Sequence, residues 1–137
     1  MITDIYSDAH IRIKSDPLHS LLLVNWVGRQ THESVRDGCM KILEFMTMHK
    51  NYDILNDNRH VIGDWSVAAE WVGATWLPLM KTAGLHKFAW VNCSLDLPRV
   101  SINQAVSFTD PAELPVRVYT DYNQALDWLF EEHINVS

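Results

Sequence analysis

Apolar and polar positions alternate along this chain in two different rhythms, and the change from one to the other marks out its elements. His10 to Lys14 has period two, with Ile11 and Ile13 on one face and Arg12 and Lys14 on the other, which predicts a half-exposed strand. The turn signal Ser15-Asp16-Pro17 follows, then a more apolar strand over Leu21 to Val27 that ends at Gly28. The short connection predicts an antiparallel hairpin. Val35, Cys39, Ile42, Leu43 and Met46 then recur at helical spacing, the buried face of a helix over Thr31 to His49. Thr31 is placed to cap it, and Glu33 sits at the positive end of its dipole.

Tyr52 to Asn56 reads as a short strand, with Asp57-Asn58-Arg59-His60 leaving at its carboxyl end. A second helix runs from about Ser66 to Thr82 and stops before Gly84. Lys87 to Asn92 is almost wholly apolar, as a buried parallel strand is. Pro98 to Phe108 leaves room for a short helix, and Val116 to Tyr119 reads as the last strand. Asp121 caps a final helix whose inner face is Ala125, Leu126, Leu129 and Phe130. The order β-β-α-β-α-β-(α)-β-α predicts an α/β fold: a mostly parallel sheet with an N-terminal antiparallel hairpin and helices packed on it. With 137 residues, the whole chain 1–137 is expected to form a single domain.

The second helix departs from the usual pattern. From Val67 to Met80 its only polar side chains are Glu70 and Thr75, and Trp65, Trp71 and Trp76 lie in or beside it. A surface helix normally keeps a polar face. A stripe of Ala68, Trp71, Val72, Thr75 and Leu79 could cover the sheet, which leaves Ala69, Gly73, Trp76, Leu77 and Met80 needing another cover. A neighbouring element of the same chain together with a homodimer contact comes first, and an apolar small molecule in a pocket lined by Trp and Met second. Trp65, Trp71, Trp76, Leu77 and Met80 are therefore the candidate ligand or partner face. Pro78 lacks a backbone donor and should distort the helix near Ala74.

Charge and composition remove several classes. The formal net charge is -6, and the 11 Lys and Arg residues are scattered rather than gathered in a stripe, so neither nucleic acid nor an anionic membrane surface is expected as partner. No apolar run reaches the roughly 20 residues of a membrane span. Cys39 and Cys93 lie far apart and read as reduced, mostly buried thiols, and the first residues lack the pattern of a signal peptide, so a cytoplasmic location is expected. There is no Gly-rich phosphate loop, no nucleophile elbow and no zinc-type spacing of His or Cys. No cofactor, metal or catalytic set is expected, and the chain reads as a non-enzyme. The histidines His10, His19, His49 and His133 fall at edges or ends and read as solvated. Asp57, Arg59 and His60 form a candidate polar site just past a strand's carboxyl end, where open α/β sheets bind ligands. There a carboxylate beside an imidazole could orient a general base. The competing and favoured reading is a turn in which Arg59 pairs with a carboxylate.

Several segments carry a resemblance: Leu21-Leu22-Leu23-Val24-Asn25-Trp26-Val27-Gly28, Ile54-Leu55-Asn56-Asp57-Asn58-Arg59, Ala83 to Val91, and Tyr122-Asn123-Gln124-Ala125-Leu126-Asp127-Trp128-Leu129. In these the chain resembles the SpoIIAA-like branch of the STAS superfamily over most of its length. The resemblance implies a β-α sandwich and, by analogy with regulators of that superfamily, a module that binds protein partners. The superfamily is also compared with lipid-binding CRAL-TRIO domains. Regulatory members carry a phosphorylatable residue in a D-S-[ST]-G turn that opens the second helix. The corresponding stretch here is Asp64-Trp65-Ser66-Val67, which makes Ser66 a candidate phosphorylation site. Trp65 and Val67 depart from the pattern, and a plain helix cap by Asp64 or Ser66 explains the same residues. The expected function is a non-enzymatic regulatory or interaction module, with binding of an apolar small molecule or lipid as the alternative.

Overall fold

A computed structural model describes residues 1–92, 96–109 and 114–131, with 96–99 described by their backbone alone. Cys93 and His133 lie outside the described residues. The strands are β1 (Thr3–Ser7), β2 (Ile11–Asp16), β3 (Leu21–Arg29), β4 (Asp53–Ile62), β5 (Phe88–Val91) and β6 (Val116–Tyr119). The helices are α1 (His32–Met48), α2 (Ser66–Trp71), α3 (Leu77–Thr82), α4 (Asp96–Ser107) and α5 (Tyr122–Phe130). A π-helical turn, Val72–Trp76, joins α2 to α3.

The strands lie in one sheet in chain order, β1-β2-β3-β4-β5-β6. β1, β2 and β3 pair antiparallel, and β3 to β6 pair parallel. The hairpin and the parallel half were expected. β1 was not: Thr3–Ser7 has no period-two pattern because nearly all of it is exposed at the sheet edge. β4 is also longer than its apolar run. Beyond the last pair with β5, Asp57↔Val91, it continues along β3 to Ile62. An irregularity opposite Trp26 sets Asn25 against Asp57 but Val27 against His60. Asp57, Arg59 and His60 are therefore strand residues and not a turn after a short strand.

A sheet in sequential order needs its parallel crossovers on one face. α1, α2, α3 and α4 enclose the larger core there, with Ile11, Val24, Ile42, Ile54, Phe88 and Ile102. α5 closes a smaller cluster with Leu21, Leu55, Ala89, Val91 and Leu129 on the opposite face. Each strand alternates between the two, as Ile54 and Leu55 show. Thr31 caps α1 through a reciprocal pair: its hydroxyl accepts from Ser34 N–H at 3.0 Å, and its own N–H donates to Ser34 Oγ at 2.8 Å.

The expected faces of the second helix are corrected by its middle turn. Leu77 N–H reaches back to the Val72 carbonyl, five residues away. The widened turn contains Ala74, whose carbonyl the Pro78 ring would otherwise strike. A turn holding more than 3.6 residues keeps positions four apart on one side. Ala68, Val72, Trp76 and Met80 consequently all face the core, as do Ala69, Gly73 and Leu77. Thr75 and Leu79, expected over the sheet, are exposed, and Trp71 is half-buried. Trp76, Leu77 and Met80 thus need no second subunit or ligand to cover them: α1, α4 and the sheet do so. At Gly73 the fit leaves no room for a side chain, since a Cβ would collide with the Ala105 carbonyl of α4.

Gly73→Ala is expected to force α2–α3 and α4 apart and to lower stability by about 1–3 kcal/mol, the usual range for overpacking. Urea denaturation measures this, and unchanged stability would show that the close approach to α4 is not required.

Candidate functional site

At the carboxyl ends of β3, β4 and β5, residues on the helix-covered face change from aliphatic to aromatic and amide. Trp26 lies near the end of β3, Asn56 and Asn58 follow Ile54 along β4, and Trp90 lies on β5. Crevices outside strand carboxyl ends are where open α/β sheets bind ligands. Gln30, Val35 and Cys39 close this one from the α1 side, and Trp65, Val72 and Trp76 from the second helix. The pocket they form is narrow, with about 20 Å³ of free space. That is enough for one water molecule.

Most of its polar atoms are spoken for within the protein. Trp26 Nε1–H donates to Asn56 Oδ1 at 2.9 Å, and Asn56 Nδ2 donates to Asn58 Oδ1 at 3.3 Å. Trp76 Nε1–H donates to the Cys39 carbonyl at 2.8 Å. Gln30 Nε2 donates to the carbonyls of His10 and Val27, and its Oε1 accepts from Ser34 Oγ at 2.8 Å. Two donors remain. Trp65 and Trp90 are 4% and 2% exposed, and their Nε1–H groups have no partner among the described residues. Asn92 Oδ1, just past β5 and not on the pocket wall, is a third such atom. Leaving a buried donor unmet costs about 1–3 kcal/mol. The two indoles stack on each other, with centroids 5.8 Å apart and planes at 24°. Burial pushes the Cys39 thiol well above its ordinary pKa, so it lines the pocket as a neutral group.

Trp65 is held in place by its backbone. Its N–H donates to Ser101 Oγ of α4 at 3.0 Å, and Ser101 Oγ donates to Asp64 Oδ1 at 2.9 Å. Asp64 Oδ1 also accepts from the N–H of Ser66, the first residue of α2, at 2.7 Å. These hydrogen bonds, led by the one from Ser66 N–H, hold the Asp64 carboxyl below its usual range. The Ser66 hydroxyl faces that same carboxylate. A phosphate on Ser66 would therefore meet a negative charge, which opposes modification there.

Of the residues singled out from the sequence, the fold brings Trp65 and Trp76 to this pocket. Leu77 and Met80 lie in the core away from it, and Trp71 sits on the surface with the Arg36 guanidinium 5.6 Å from its ring. Trp26, Gln30, Asn56, Asn58 and Trp90 were missed. One signal was present: an amide at the inward position of an otherwise apolar strand, two residues after Ile54, is an expense that a core strand rarely carries.

The Asp57–Arg59–His60 cluster lies on the other face, beside the start of α5. Asp57 is buried, and its carboxylate accepts from Arg59 Nε at 3.0 Å and from the terminal guanidinium nitrogen at 2.8 Å. Arg59 in turn lies 4.6 Å from the Tyr122 ring centroid. The hydrogen bonds that Arg59 donates to Asp57 raise the Arg59 pKa, while burial and the Asp57 charge raise that of Tyr122. His60 Nδ1 faces Asn25 Oδ1 at 3.3 Å. The carboxylate is thus committed to the guanidinium and does not orient the imidazole. A groove of about 570 Å³ runs from this pair across the bare face of β2 and β3, past Arg12, Lys14 and Asn25. Among the described residues, no three His, Cys, Asp or Glu side chains are grouped to hold a metal ion.

These features define a class: a small α/β module with a mixed sheet in sequential order, helices mainly on one face, and an aromatic pocket at the strand ends. The fold is SpoIIAA-like. The chain is similar to a solved structure of a DUF3478-family protein with a SpoIIAA-like fold from Shewanella loihica PV-4, with a TM-score of 0.57 and 23% identity, covering 91% of this chain and 98% of that one. No family model and no curated protein matches the sequence.

Two expectations follow for substitutions. Trp26→Phe and Trp76→Phe strand an acceptor by removing a bonded indole, whereas Trp65→Phe and Trp90→Phe remove unmet donors. The first pair should therefore cost about 1 kcal/mol more than the second, and equal losses in urea denaturation would show that Trp65 and Trp90 have partners after all. Arg59→Ala leaves the Asp57 carboxylate buried and unpaired and should cost about 1–3 kcal/mol, whereas a stability within error of the parent would mean that the pair is not structural.

Proposed function

We propose that this SpoIIAA-like domain is a non-enzymatic, regulatory binding module whose ligand site is the tryptophan-walled pocket at the carboxyl ends of β3, β4 and β5. The observation that carries this reading is that Trp65 and Trp90, two residues of its wall, have buried indole N–H groups with no partner among the described residues. A fold tolerates such groups at a cost, and a ligand that accepts from both removes the cost. Apolar pockets with a few convergent polar groups at strand ends are the usual form of a small-molecule site. A guest larger than water requires one wall to yield. The π-helical turn supplies Val72 and Trp76 to that wall, and π turns inside helices are frequent at functional sites.

The interaction reading moves to a different surface. The inner face of α2–α3 is used within the chain, so it is not the dimer face. A groove between β1 and α1, with Tyr6, Met40, Leu43 and Met48, is the apolar surface that a protein partner or second copy would use. Exposed methionines suit adaptable contacts. No described helix is long and apolar enough to cross a membrane. A reducing, cytoplasmic setting agrees with the buried free thiol of Cys39.

Native mass spectrometry of the protein purified from its own host tests both readings together, because it counts subunits and retained ligand at once. A reproducible added mass that is lost in Trp65→Phe/Trp90→Phe is the expected result. An unliganded chain, with no thermal stabilisation by any member of a neutral fragment library, would remove the ligand reading. A dimer dispersed by Met40→Glu/Met48→Glu would assign the groove to a second copy.

A further inference from the structure

From the hydrogen-bond inventory of the pocket we infer the chemical class of its ligand: an uncharged molecule that presents acceptor atoms, such as carbonyl, sulfoxide or ether oxygens, and no donors to the site. The inference rests on the binding reading above and narrows it. Its first half comes from charge. Among the described residues no Asp, Glu, Lys, Arg or His lines the pocket, and the titratable group on its wall, Cys39, is held neutral by burial. An ion placed there would be desolvated with no counter-charge, which is strongly unfavourable.

The second half comes from which atoms remain to be satisfied. Each side-chain amide oxygen on the wall already accepts one hydrogen bond: Asn56 Oδ1 from Trp26, Asn58 Oδ1 from Asn56, and Gln30 Oε1 from Ser34. Among the described wall residues the buried side-chain groups left unmet are Trp65 Nε1–H and Trp90 Nε1–H, and an indole nitrogen is a donor only. A guest that accepts completes the site. A guest that must also donate, water included, meets only side-chain amide oxygens that already hold one hydrogen bond each. The side chains of Trp26, Trp65, Trp76 and Trp90 give the rest of the guest an aromatic, mainly apolar enclosure.

Nitrogen-15 correlation spectra of the wild-type protein read this directly, with the indole signals of Trp65 and Trp90 assigned through bonds from the backbone. Three small probes of similar size are titrated: dimethyl sulfoxide, a neutral acceptor without donors; acetamide, neutral with donors; and acetate, an anion. Dimethyl sulfoxide is expected to move both indole signals downfield and to saturate, while acetate binds at least about tenfold more weakly and acetamide falls between. Equal or stronger shifts with acetate or acetamide would overturn the ligand class and leave the binding reading standing. No shift of either indole with any probe would overturn both.

Discussion

Pro78 sets the constraint on which the interior of this protein turns. It has no N–H to donate, and its ring excludes the Ala74 carbonyl from the place an α-helix would give it. The chain answers with the wide turn Val72–Trp76, in which Leu77 bonds to Val72. The turn aligns Ala68, Val72, Trp76 and Met80 on one side and sends all of them inward. Trp76 then reaches α1, where its indole N–H meets the Cys39 carbonyl. Gly73, brought inward by the same turn, lets the backbone of α4 approach until nothing larger fits. A helix apolar all round is thereby surrounded by α1, α4 and the sheet, and the surplus of apolar residues becomes core and not interface.

The same geometry leaves a seam. With Trp76 fixed by α1 and Trp65 fixed through Ser101 on α4, the two walls of the second helix stand over the strand ends at a set distance. Below them β4 carries the amides Asn56 and Asn58 on this face, and those amides bond to one another and to Trp26. Among the described side chains of the pocket, the buried N–H groups left unmet are those of Trp65 and Trp90. Phenylalanine at these two positions would keep an aromatic pair and drop the unmet N–H. The two indoles are the physical basis of the proposed ligand site.

The two faces of the sheet carry different kinds of polarity. On the helix-covered face the polar groups are neutral and enclosed. On the other, Asp57 and Arg59 form a bidentate pair packed against Tyr122 at the start of α5, and the exposed basic residues of β2 extend the groove outward. That pair is an anchor between β4 and α5. It takes up the Asp57 carboxylate, so Asp57 and His60, close in sequence, have different partners in space.

Much of the architecture was legible in the sequence. Strand and helix periods placed the hairpin, α1 with its Thr31 cap, the apolar β5 and the closing helix, because those elements bury one face and their patterns report it directly. β1 was invisible since an exposed edge strand has no buried face to mark it, and the far half of β4 was invisible because its residues pair with β3 beyond the end of the apolar run. Pro78 announced a distortion near Ala74, but only the folded helix decided that the distortion would be a wide turn, and so which side of it faced inward. The pocket was likewise decided by tertiary structure: Trp26, Asn56, Trp65, Trp76 and Trp90 come from three strand ends and one helix, and their meeting depends on strand register and helix rotation. Local sequence periodicity carries burial; it carries no information on which donors find acceptors once the layers close, and that remainder is what the folded chain alone reveals.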